Sequence, residues 1–196
     1  MARYTGPKHK LARIEGINIL EKTSPSLERR LTVTPGVVGR NRRRKSSEYG
    51  LQLREKQKLK RIYGLLEKQF RKYIIQAQLK KENTEDVLVQ LLETRLDNMV
   101  YRMGFANSRN QARQMVSHKH VFVNDKKVNI PSFKVSAEDV IRFDPKILAG
   151  RVEKEDIQIL PFVSRTSTSG KLLRLPESAE VPNPVDYQLV IEFYSR

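Results

Sequence analysis

All of the surplus positive charge in this chain sits in its first 81 residues. That stretch carries 22 Lys and Arg against 6 Asp and Glu, whereas residues 82–196 carry 16 of each. A chain that was basic merely for solubility would not segregate its charge in this way. The chain is therefore read as a cationic region joined to a neutral module with its own core. The net charge of +16 points to a polyanion as the partner.

Other classes fall away on composition. There is no cysteine, which excludes disulfides, thiolate zinc sites and a thiol nucleophile. The opening MARYTGPKHKLARIEG has no apolar stretch, so a secretory signal is not expected, and Glu15 and Glu21 speak against an acid-poor transit peptide. No apolar window approaches the length that spans a bilayer, so no membrane partner is expected.

Residues 1–46 show little periodicity and carry turn signals at Gly6-Pro7, Gly16, Ser24-Pro25 and Pro35-Gly36. They read as a loosely structured basic region with short helical pieces, ordered mainly by its partner and ending in the run Arg40–Lys45. Ser46 or Ser47 can cap a helix from Glu48, with Leu51, Leu59 and Ile62 as its stripe and Arg54, Lys56, Lys58, Lys60 and Arg61 elsewhere. Gly64 marks a break. A second helix runs through Leu66, Phe70, Tyr73, Ile74 and Ala77, with Lys68, Arg71 and Lys72 outward. Thr84 opens a third, whose stripe is Leu88, Leu91, Leu92, Leu96, Met99, Val100 and Met103, stopped by Gly104. Glu93 and Asp97 lie four apart on that helix, where salt bridging or solvation is expected rather than catalysis.

The stretch SRNQARQMVSHKHVFVNDKKV (residues 108–128) changes period within itself. Ser108 and Gln111 form a capping box, so a helix begins at Arg109 with Ala112, Met115 and Val116 inward. Arg109 and Arg113 share the other face. Strands follow at Val121–Val123 and Val128–Ile130, joined by Asn124–Lys127, and a further strand at Asp139–Phe143. Two like charges four apart cost a few tenths of a kcal/mol, roughly, and are better placed if phosphates lie across them. A-form RNA, read largely through its backbone shape, fits such a helix end, and the alternative reading is an ordinary exposed helix face.

These residues resemble a known family. SRNQARQMVSHKHVFVNDKKVNIPSFKV is similar to the small RNA-binding module named after bacterial small-subunit ribosomal protein four, which also occurs in tyrosyl-tRNA synthetases, pseudouridine synthases and a heat-shock RNA binder. The flanking YGLQLREKQKLKRIYG, QFRKY, LLETRLDNMVYRMGFANSR, LRLP and EFYSR resemble the ribosomal family itself, from MARYTGPK to Arg196.

The resemblance implies an α+β fold. A basic N-terminal region (1–46) precedes a mainly helical domain (47–93, completed by 171–196). Then come an α/β module of two helices on a short, mostly antiparallel sheet (94–158) and a variable connection (159–170). It implies no enzyme activity and no cofactor. The expected role is primary binding of small-subunit ribosomal RNA at a multi-helix junction in the 5′ domain. That role nucleates assembly of the subunit body and contributes to translational accuracy. Expected partners are small-subunit protein five and, in some bacteria, the protein's own messenger RNA. The expected location is the cytoplasmic ribosome, with an organellar ribosome as alternative.

Carried onto this sequence, the RNA-binding set is Arg3, Lys8, Lys10, Arg13, Arg40, Arg42, Arg43, Arg44, Lys45, Tyr49, Arg54, Lys58, Arg61, Arg71, Arg109, Gln111, Arg113, His118, Lys119 and His120. The chain departs from many relatives in three places, one of them the connection 145–170, which is shorter than usual and poorly matched. His9 and Ala12 stand where two of four zinc-binding cysteines would be, and a lone histidine cannot build a tetrahedral site. Asn124-Asp125 replaces Asn-Gly, so the turn should be strained or of another type. The rival class is an RNA-modifying or tRNA-charging enzyme with the same module. It would need a catalytic domain, of which the sequence has no sign. A general cationic packaging protein would leave the neutral module unexplained.

Overall fold

The structure is a computed structural model and describes residues 4–19, 24–36, 46–144 and 159–195. The chain forms two compact units, residues 1–78 with 183–196, and residues 79–182.

The first unit holds α1 (Lys8–Glu15), the single turn α2 (Pro25–Glu28), α3 (Glu48–Ile62), α4 (Glu67–Gln78) and α8 (Tyr187–Tyr194). Ser47 caps α3 by accepting from the Gly50 N–H, and Asp186 caps α8 by accepting from Leu189. Gly64 breaks the helix with φ 63°, a left-handed backbone that glycine adopts without penalty.

The inward line of α3 differs from the expected one. Leu51 is 46% exposed, and the buried positions are Gln52, Lys56, Leu59 and Ile62. The reason is α8, which packs along α3 and offers polar and aromatic partners. Gln52 donates to Glu192 (3.1 Å), and the Lys56 ammonium lies 4.5 Å above the Phe193 ring. Leu66 is likewise exposed, while Phe70, Tyr73, Ile74 and Ala77 of α4 are buried as expected.

Lys56 also donates to Glu67 (2.9 Å), which further accepts from Lys60 (2.9 Å) and the Tyr194 hydroxyl (2.6 Å). Partial burial works against the Glu67 charge, but these three donors outweigh it and lower its pKa from 4.5 to about 2. A carboxyl whose pKa is lower folded than unfolded adds stability above its unfolded pKa and loses it as the pH falls. We expect the stability gap between the natural chain and Glu67→Gln to be full above pH 4.5 and to close toward pH 2. Urea unfolding across that range checks this, and a gap that does not vary with pH contradicts it.

The second unit contains, among the described residues, α5 (Thr84–Glu93), α6 (Leu96–Arg102), α7 (Arg109–Ser117) and five strands: β1 (Val121–Val123), β2 (Lys126–Val128), β3 (Val140–Phe143), β4 (Val163–Arg165) and β5 (Ser169–Leu172). The sheet is antiparallel throughout, in the order β2-β1-β3-β5-β4. Its core joins Leu88, Leu92, Leu96, Met99, Val100 and Met103 to Ala112, Met115 and Val116 of α7 and to Val121, Val123, Ile141, Phe143 and Leu172 of the sheet. The α+β architecture expected from the sequence is observed.

Three local expectations are corrected. The single helix expected over 84–103 is two, and Asn83 rather than Thr84 caps it. The break has a cause outside the helix. Arg95 is extended and bridges Lys134, while Leu96 and Asp97 donate their N–H groups to the carbonyls of Phe133 and Pro131. The segment 131–135 thus satisfies the open donors of the α6 N-terminus.

The second strand begins at Lys126, not Val128, and the turn is the two residues Asn124 (φ 47°) and Asp125 (φ 67°). Both left-handed angles match the mirror-image turn that Asn-Gly favours. The Asn124 amide secures it by donating to Asp139 (2.7 Å) and accepting from the Val140 N–H (3.0 Å). Finally, residues 163–172, read as a connection or the start of the return segment, supply β4 and β5. Gly170 there faces Met103, and a Cβ on it would stand 2.5 Å from the Met103 sulfur.

Candidate nucleic-acid interface

Helix α7 is built to hold its basic face still. Its N-cap Ser108 is buried and accepts from the Gln111 N–H, while the Gln111 side chain accepts from the Asn107 N–H (2.8 Å). Ala112, Met115 and Val116 anchor the opposite side in the core. The helix ends at His118, after which Lys119 turns left-handed (φ 64°) and His120 starts the approach to β1. The His118 and His120 rings stand 6.0 Å apart; His118 and Lys119 are exposed and His120 is half-buried.

Under this face runs a layer of buried polar groups from the α5–α6 corner. Glu93 is fully buried and accepts two bonds from Arg102, both 2.8 Å, and one from the Asn98 amide (2.7 Å). The Asn98 carbonyl oxygen in turn accepts from Arg109 Nε (2.7 Å), and the Arg109 guanidinium lies 4.7 Å over the Tyr101 ring. Beside it, Arg95 forks onto Asp97 (3.0 and 2.6 Å), and Arg113 lies 3.8 Å from the same carboxylate. Burial pushes the Asp97 carboxyl up, against the pull of Arg95 and Arg113. Burial likewise raises the Tyr101 hydroxyl. Glu93 and Asp97 therefore form buried ion pairs with arginines, which resolves the choice between bridging and solvation.

The first unit spends several of its predicted residues internally. Arg54 donates to the carbonyls of Ile14 (3.3 Å) and Glu15 (3.2 Å), and it pairs with the buried Glu15 carboxylate at 3.5 Å. Arg61 pairs with the same carboxylate. Lys58 pairs with Glu55 and reaches the Pro184 carbonyl (3.3 Å). Arg13 donates to the Val33 carbonyl (2.8 Å). Arg54, Arg61 and Arg13 thus hold α1 and its following loop in place, while Lys58 ties α3 to the segment before α8. Lys10, Tyr49 and Arg71 are exposed and Lys8 is half-buried, with Tyr49 also 5.6 Å from the Phe193 ring. Arg3, Arg40, Arg42, Arg43, Arg44 and Lys45 lie outside the described residues.

The arginines of α7 are legible in the sequence, but the groups that orient them are not. Asn98, Glu93 and Tyr101 stand within the α5–α6 segment, and the available signal was polar residues interrupting an apolar stripe. Chemically the site can hold and orient anions. Among the described residues there is no group of three or more His, Cys, Asp and Glu side chains that could hold a metal.

Comparison with known proteins agrees with this geometry. A family model described as "Ribosomal protein S4/S9 N-terminal domain" matches residues 3–93, and one described as "S4 domain" matches residues 94–141, the stretch that holds α6, α7 and the hairpin. The small ribosomal subunit protein uS4 of Brevibacillus brevis is 46% identical over 202 aligned positions that cover all of both chains. Those of Neisseria meningitidis and Neisseria gonorrhoeae are each 45% identical over 207, again covering both chains fully. Motifs, fold and full-length similarity converge, and the chain belongs to the small ribosomal subunit protein uS4 family.

Proposed function

We propose that this chain is a primary binder of small-subunit ribosomal RNA that grips a multi-helix junction of the 5′ domain and so nucleates assembly of the subunit body. As a member of a ribosomal protein family it is a structural component and not an enzyme. The observation that carries the RNA reading is α7, where Arg109 and Arg113 sit on a capped, core-anchored helix above a buried layer that fixes them. Backbone phosphates of a folded RNA are the polyanion whose geometry suits such a face. The cationic region 1–46 adds phosphate contacts that strengthen binding without reading sequence.

Assembled in the ribosome, the chain contributes to translational accuracy and adjoins small-subunit protein five. Repression of its own messenger follows if that messenger offers a similar fold. A cytoplasmic ribosome is the natural location, with an organellar ribosome as the alternative. The experiment is competition binding of the full chain to a 5′-domain junction transcript against random duplex of equal length. Clear preference for the junction supports the proposal, and equal binding to both overturns it.

A further inference from the structure

We infer that Asn98 is a positioning residue of the RNA interface: its buried amide orients the Arg109 guanidinium for phosphate, taking its own orientation from Glu93. The inference rests on the proposed RNA role of Arg109. Asn98 is 1% exposed, and both ends of its amide are engaged in opposite directions. Its nitrogen donates to the Glu93 carboxylate (2.7 Å) and to the Glu93 carbonyl (3.1 Å). That double donation settles which end of the amide points outward, so the oxygen must face Arg109. The oxygen then accepts from Arg109 Nε at 2.7 Å, within the range of a charge-assisted bond.

A guanidinium is planar, so a bond at Nε together with stacking at 4.7 Å on Tyr101 sets the direction of the whole fork. An arginine free to sweep must give up side-chain entropy on meeting a phosphate; one already aimed has less to lose. Glu93 is also held by Arg102 through two bonds of 2.8 Å, so the chain Arg102–Glu93–Asn98–Arg109 runs from the buried corner to α7 without a gap. Lysine is not equivalent to Arg109 here, because its ammonium keeps the charge but has no Nε–H to dock on Asn98.

The test measures binding of the full chain to the 5′-domain junction transcript over a range of salt, for the natural chain, Asn98→Ala, Arg109→Lys, Arg109→Ala and Asn98→Ala/Arg109→Ala. Unfolding midpoints are recorded beside each. Expected are a roughly tenfold loss of affinity for Asn98→Ala and a similar loss for Arg109→Lys despite its retained charge. The double variant should bind no more weakly than Arg109→Ala alone. A purely structural Asn98 would lower the unfolding midpoint and leave affinity and salt slope as they were, which overturns the inference. Full additivity of the two substitutions overturns it too. If Asn98→Ala does not fold, Arg109→Lys decides: natural affinity in that variant overturns it. Should Arg109→Ala itself bind like the natural chain, the RNA role of α7 fails first, and that outcome is distinct from the others.

Discussion

Replacing Glu93 with alanine should lower the free energy of unfolding by about 3–5 kcal/mol, the cost of breaking a buried ion pair from one side. Glu93 is fully buried and takes two bonds from Arg102 and one from Asn98. Without the carboxylate, Arg102 keeps its charge in a place where its side chain is only 10% exposed, and the Asn98 nitrogen loses its shorter bond. Water can relieve part of this, which is why the lower end of the range is allowed. Glu93→Gln keeps the shape and one acceptor, so it should fall between the natural chain and the alanine variant. Urea unfolding of the three chains measures the series; a loss below about 1 kcal/mol for alanine would mean the pair is no better than a surface ion pair.

The second large effect concerns binding. If Arg43 and Arg44 each make a charge-assisted contact to phosphate, replacing both with alanine should weaken binding to the junction transcript about a hundredfold. It should also flatten the dependence of log affinity on log salt by about 1.5, because roughly 0.7–0.9 counterions are released per phosphate neutralised. The run Arg40–Lys45 has five cations in six positions, so its neighbours can take over part of the work. An unchanged slope removes these two residues from the phosphate surface and leaves α7 as the principal contact.

How much of this could be read in the sequence varies by element, for physical reasons. Helix α7 was legible because its signals are local: a capping serine, a glutamine three residues on, and three inward apolar residues at helical spacing. The break at Thr94–Arg95 was not. The apolar stripe stays in phase across it, and the groups that make it favourable belong to residues 131–135, far along the chain. The buried face of α3 is hidden from the sequence for a similar reason. Gln52 and Lys56 look like solvent-facing residues until Glu192 and Phe193 of α8 are placed against them. The strands β4 and β5 are three and four residues long in a Ser- and Thr-rich stretch, too short for alternation to stand out. Of the interface, the arginines were visible as charge. Asn98 shows in the sequence only as a polar residue interrupting the apolar stripe, and such an amide announces no direction until its two neighbours are known.

The most direct measurement is a salt titration of the unmodified chain on the 5′-domain junction transcript and on a random RNA duplex of equal length. Both curves should fall as salt rises, with the junction bound at least about a thousandfold more tightly throughout, because shape adds what counterion release cannot. Two curves that coincide at every salt concentration would contradict shape-selective binding and leave only a cationic surface.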